Sequence, residues 1–210
     1  MKTLEVEKIE TQKLPKYTEF ETKYKIENDI TVKFKNLVMS FAKELGNFDF
    51  IYVEGPDYYY TRNGGDAIGR YRKAINGKEA WWTVKIKRNN KNNINRTETN
   101  WRVDGTPYET IHEGAVNMGW DFNFRIYKMC HIYKFKDVTF VLYSVTDDAD
   151  KTNQFMEIEL DEDSIHNLTE EEAWDRIRKY ESMLEPLGIT HRNRLTKSLF
   201  EMYRKDIYVS

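Results

Sequence analysis

Cysteine is nearly absent from this 210-residue chain: Cys130 stands alone. An internal disulfide is thereby excluded, and no Cys/His spacing suggests zinc. Histidine is scarce as well, and His112, His131, His166 and His191 show no metal-ligand spacing. No apolar run approaches the roughly 18 residues of a membrane span. The opening Met1-Lys2-Thr3-Leu4-Glu5-Val6-Glu7-Lys8 lacks the apolar stretch of a secretory signal, so the expected setting is a soluble protein of the cytoplasm. Neither sign of charge dominates. With 33 Lys+Arg against 35 Asp+Glu and a net charge of −2, a whole-surface basic footprint for duplex DNA is not expected. A local basic cavity remains open, because charges of both signs can be segregated in space. Serine or cysteine nucleophiles are not suggested.

What is abundant is aromatic: 14 Tyr and 11 Phe, which favour strands. The length fits one domain with a substantial core. Residues 1–16 read as a charged lead-in, and 17–210 as the domain. From Tyr17 to Ile26 charged and apolar residues alternate as in a strand. Phe34, Leu37, Val38, Phe41 and Leu45 then recur at helical spacing, with Gly46 as a C-terminal cap. Short strands are expected over Phe48–Val53, Tyr58–Arg62, Ala67–Lys73, Glu79–Arg88 and Arg96–Val103. Gly55-Pro56-Asp57 and Asn76-Gly77 read as turns between them, and Asn89–Asn95 as a polar connection. A short helix around Tyr108–Val116 precedes strands at Phe124–Tyr133, Val138–Val145 and Phe155–Asp161. Thr169-Glu170-Glu171-Glu172 is a capping box that opens a helix through Leu184, and a second helix is expected from about Arg192 to Lys205.

The chemistry lies in which side chains alternate. Glu19/Glu21/Lys23, Arg70/Arg72, Lys85/Lys87, Arg96/Glu98 and Glu157/Glu159 are charged groups two residues apart, so each set leaves one face of its strand. On one strand this pattern usually marks a solvated face laced with weak ion pairs. Repeated over five strands it points instead to a charged interior, because long rows of like charge repel unless counter-charges or a ligand intervene. A barrel of about eight strands has room for one small ligand. Paired carboxylates are hard oxygen donors that match Mg²⁺ or Mn²⁺ rather than zinc. Lysine and arginine in quantity match a polyanion, and arginine grips phosphate oxygens bidentately. Together these are the components of phosphoryl chemistry.

These residues, in this order, resemble the CYTH or triphosphate tunnel metalloenzyme superfamily. Glu19-Phe20-Glu21-Thr22-Lys23 is similar to its opening Glu-x-Glu-x-Lys strand, and Asp57-Tyr58-Tyr59-Tyr60 to the aromatic strand after the first helix. Arg70-Tyr71-Arg72, Lys85 with Lys87, Arg96-Thr97-Glu98 and Glu157-Ile158-Glu159 follow in the family's order. The resemblance implies a strand-dominated α+β fold: a closed eight-stranded antiparallel β-barrel, or tunnel, with flanking helices. It implies Mg²⁺ or Mn²⁺ at Glu19, Glu21, Glu157 and Glu159, the catalytic carboxylates. Lys23, Arg70, Arg72, Lys85, Lys87, Arg96 and Lys128 would hold the phosphate chain, with Glu98 orienting neighbouring cations. The implied partner is a small triphosphate or nucleotide, or an RNA 5′ end, hydrolysed with metal-positioned water. A class IV-type adenylate cyclase and a non-catalytic nucleotide or polyphosphate sensor are the alternatives. Two positions depart from the pattern: Cys130 stands where the family commonly has Arg, and Tyr143 where it often has Asp. His131 and Asp147 or Asp148 are the nearest residues that could compensate.

Overall fold

The computed structural model describes residues 18–75, 77–87 and 95–205. The lead-in 1–16, Asn76 and the connection over 89–94 lie outside the described residues. Strand β1 (Thr18–Ile26) starts the sheet, and its alternation does what period-two patterning demands: Phe20, Thr22 and Tyr24 are buried on one face while Glu19, Glu21 and Lys23 leave the other. Helix α1 (Thr31–Leu45) buries Phe34, Val38 and Phe41. The strands β2 (Asp49–Arg62), β3 (Ala67–Lys73), β4 (Ala80–Lys87) and β5 (Asn95–Arg102) follow, then helix α2 (Tyr108–Asn117). Next come β6 (Asp121–Lys134), β7 (Val138–Thr146) and β8 (Thr152–Leu160), and helices α3 (Glu162–Ile165) and α4 (Glu170–Ser182). The expected capping box opens α4: Thr169 accepts from the Glu172 backbone N–H, and Glu172 returns to Thr169. A two-residue strand β9 (Arg194–Leu195) and helix α5 (Leu199–Tyr203) end the described chain.

All strand pairs are antiparallel, in the order β5-β4-β3-β2-β6-β7-β8-β1-β9. The expectation of a closed eight-stranded barrel is therefore corrected. The sheet has nine strands, and its ends meet over only three residue pairs, Thr18 to Phe20 of β1 against Thr97 to Asn95 of β5. Farther along β1, Lys23 and Tyr24 pair with β9 instead. The structure is a curled nine-stranded sheet with flanking helices, not a barrel of eight strands sealed along its length.

Two local expectations are also corrected. Gly55-Pro56-Asp57 is not a turn, for β2 runs through it without interruption. Gly55 is there because a Cβ would stand 2.5 Å from the Lys73 carbonyl oxygen, and its φ of +152° suits glycine. The helix expected from Arg192 to Lys205 is broken into a 3₁₀ turn, β9 and α5. Pairing of Arg194 and Leu195 with β1 claims the middle of that segment, and Ser198 restarts a helix by a capping box with Glu201.

Three apolar groups hold the molecule together. The largest packs α1 and α4 onto one face of β1, β6, β7 and β8 through residues such as Phe34, Phe41, Phe140, Ile158 and Ile177. A second, on the other face, joins Tyr59, Phe124, Ile126, Tyr143 and Phe155 to Leu199 and Phe200 of α5. The third sets Trp120 and Ala115 of the α2 region against Tyr60 and Tyr71. Among the described residues, no helix is long and apolar enough to cross a membrane.

Candidate functional site

The charged faces of β1, β3, β4, β5, β6 and β8 converge on one cavity of about 180 Å³. Glu19, Glu21, Glu98, Glu157 and Glu159 supply its acids, and Lys23, Arg70, Arg72, Lys85 and Lys128 its cations. All ten were expected site residues. The remaining two, Lys87 and Arg96, have backbones on β4 and β5, directly opposite one another, and their side chains lie outside the described residues.

Strand register decides the electrostatics. Lys23 lies directly across from Glu157, and their charged groups meet at 2.6 Å. Burial alone would push the Glu157 carboxyl up, but the ammonium groups of Lys23 and Lys128 overrule it and hold it at about 2. Glu21 lies directly across from Glu159, so two acids face each other. Burial, joined by the negative charges of Glu21 and Glu98, pushes Glu159 up to about 7. Burial raises Glu19 as well, against the pull of Lys85. Lys85 bridges Glu19 at 2.6 Å and Glu98 at 2.7 Å. Glu98 is held well below the usual carboxylate range despite its burial, because Lys85 and then Arg70 outweigh desolvation.

Arg70 and Lys128 are engaged less fully. Arg70 reaches Thr83 at 3.4 Å and Glu98 only at 3.9 Å, and its buried Nε has no hydrogen-bond partner. Among the described residues, no carboxylate pairs with Lys128; its ammonium sits 4.0 Å from the centroid of the Tyr143 ring. Burial pulls that ammonium below its ordinary range.

Several contributors escape the charge pattern. Asp57, fully buried, grips Arg72 through two bonds of 2.6 Å. Its position opposite Arg72 in the β2–β3 register is the physical cause, and its place two residues before Tyr59 on β2 was the available signal. Tyr143 does not itself line the cavity but donates to Glu157, which does, at 2.7 Å. Ser198, Leu199 and Phe200 line the cavity from α5, where Phe200 packs on Phe124 and Tyr59; no charged pattern marks them. The suggested substitutes stay away from the cavity. His131 packs against Phe50 and Tyr52, Asp147 closes its own loop by accepting from Ala149 and Lys151, and Asp148 pairs with Lys205. Cys130 does line the cavity.

The carboxylates suit a hard divalent cation in donor type; of the opposed acids, Glu21 is reached by Lys23 at 3.4 Å, whereas no ion pair reaches Glu159 among the described residues. Among the described residues, no three His, Cys, Asp or Glu side chains come together closely enough to hold a metal ion. Glu157 and Glu19 are held by lysines at 2.6 Å, and Glu21 more loosely by Lys23.

No family model matches the sequence, and no curated protein does. Solved structures do match. A conserved hypothetical protein from Pyrococcus furiosus shares 24% identity with a TM-score of 0.68, over 87% of this chain and 98% of its own. A candidate adenylate cyclase from Vibrio parahaemolyticus shares 18% at a TM-score of 0.60, over 91% of this chain and 98% of its own. A candidate adenylyl cyclase from Hippeastrum with a dominant triphosphatase activity shares 12% at a TM-score of 0.53, over 88% of this chain and 94% of its own. The chain has the fold of these proteins, and at the level of the fold its motifs' resemblance to the CYTH and triphosphate tunnel superfamily stands.

Proposed function

We propose that residues 17–210 form one domain that hydrolyses a triphosphate-bearing substrate with the help of Mg²⁺ or Mn²⁺. The observation that carries this reading is two buried cations that the protein engages only in part: Arg70 Nε has no hydrogen-bond partner, and among the described residues no carboxylate pairs with Lys128, which lines the same cavity. A buried donor left unpaired costs about 1–3 kcal/mol, and more when charged, so a ligand rich in acceptor oxygens would relieve the site. Arg70, Arg72 and Lys128 would hold the phosphate chain, and Tyr59 and Phe200 would wall it off from water. Glu21 and Glu159 would hold the divalent cation, which supplies charge neutralisation on the phosphate oxygens. Attack of a water oxygen on the terminal phosphorus would break the bridging P–O bond and release orthophosphate. The triphosphatase activity of the Hippeastrum protein, which shares the fold, supports this choice. Inorganic triphosphate, nucleoside or thiamine triphosphates and RNA 5′ ends all carry the required group.

A cyclase is the second reading, supported by the fold shared with the Vibrio candidate; it would use the same anion seat with attack by a ribose hydroxyl at the α-phosphorus. Product analysis separates the two. Incubation with inorganic triphosphate and with ATP, in Mg²⁺ and separately in Mn²⁺, should release orthophosphate resolved by anion exchange. Pyrophosphate with cyclic AMP would establish the cyclase instead. Unchanged substrates with tight binding would make the protein a sensor, and unchanged substrates without binding would refute the reading.

A further inference from the structure

We infer that Tyr143 is a positioning residue behind the cavity wall, its ring carrying Lys128 and its hydroxyl securing Glu157, both of which line the cavity. The inference rests on the triphosphate reading and concerns how this chain builds that site with an aromatic residue. Tyr143 is 1% exposed. In the sheet it lies directly between Cys130 of β6 and Phe155 of β8, and its ring stacks on Phe155 with centroids 5.5 Å apart. Lys128 and Glu157 are its diagonal neighbours on either side, within reach of long side chains.

The two contacts have different consequences. The hydroxyl donates at 2.7 Å to Glu157 Oε1, the same oxygen that Lys23 meets at 2.6 Å, so that carboxylate is committed to the protein. The ring attracts the Lys128 ammonium, 4.0 Å away, through its quadrupole. A ring face fixes a cation's position without cancelling its charge. Lys23 and Lys85, by contrast, are neutralised by carboxylates. Lys128 is therefore held in place by a neutral ring, with no carboxylate paired to it among the described residues, and faces an incoming phosphate from the cavity wall.

The test is calorimetric titration of inorganic tripolyphosphate into the full-length protein without metal. Tyr143→Phe keeps the ring, so its affinity should stay within about twofold of wild type. Tyr143→Leu removes the seat and should weaken binding about tenfold, the scale of a desolvated cation–π contact. If Tyr143 acts through Lys128, the two changes are coupled: Tyr143→Leu combined with Lys128→Met should bind no more weakly than Lys128→Met alone. Thermal melts of each variant establish folding, and Tyr143→Phe carries the same proposal where Tyr143→Leu does not fold. Undiminished binding by Tyr143→Leu, an equal loss in Tyr143→Phe, or additive losses in the double variant would each overturn the inference while leaving the triphosphate reading intact. Failure of the wild type to bind tripolyphosphate at all would overturn that reading itself.

Discussion

Glu157 and Glu159 stand two residues apart on one strand and titrate in opposite directions, because one faces Lys23 across the sheet and the other faces Glu21. The consequences for stability have opposite signs. Glu157, held at about 2 in the fold, contributes stability that is present above its unfolded value and lost as pH falls toward 2. Glu159, raised to about 7, contributes stability that is fully present below its unfolded value of about 4.3 and lost as pH rises through 7. The loss is on the order of 3 kcal/mol. Denaturant melts at pH 5 and pH 8 should therefore show wild type losing more stability than Glu159→Gln over that interval; equal losses would contradict the assignment. Asp57→Asn should cost about 3–5 kcal/mol, since it strands the Arg72 guanidinium without its buried partner, and a cost under about 0.5 kcal/mol in equilibrium unfolding would refute that role. The same-face charges were legible from period-two spacing alone. Which acid meets which base was not, because cross-strand register is a tertiary property.

At the scale of elements, β1, α1 and the capped α4 follow directly from alternation, helical spacing and a capping box. The misread segments are those where a distant strand decides. Arg194 and Leu195 look helical by spacing, yet β1 offers them backbone partners. Gly55-Pro56 carries turn chemistry, but the glycine serves a close approach of the chain at Lys73, where Ile75 also donates to the Glu54 carbonyl. Gly55→Ala should therefore destabilise the protein by about 2 kcal/mol or more, as an overpacked and strained position does. A melting temperature equal to wild type would show that β2 can shift to accept the methyl group.

The whole molecule has a net charge of only −2, yet it gathers five acids and five cations around one cavity. Segregation of this kind explains why overall charge said little about partners while local pattern said much. That the sheet is not sealed into a barrel was not legible in the strand count: the β1–β5 pairing is short and β9 takes up the neighbouring stretch of β1. Binding of a triphosphate to the folded state alone should raise stability by about 2.7 kcal/mol at a hundredfold excess over Kd, or roughly 5–10 °C in a domain of this size. If the interior cations receive a triphosphate, metal-free calorimetry of inorganic tripolyphosphate should show stoichiometric binding to wild type and clearly weaker binding to Arg70→Ala. Equal affinity in the two proteins, or no heat with either, would contradict it.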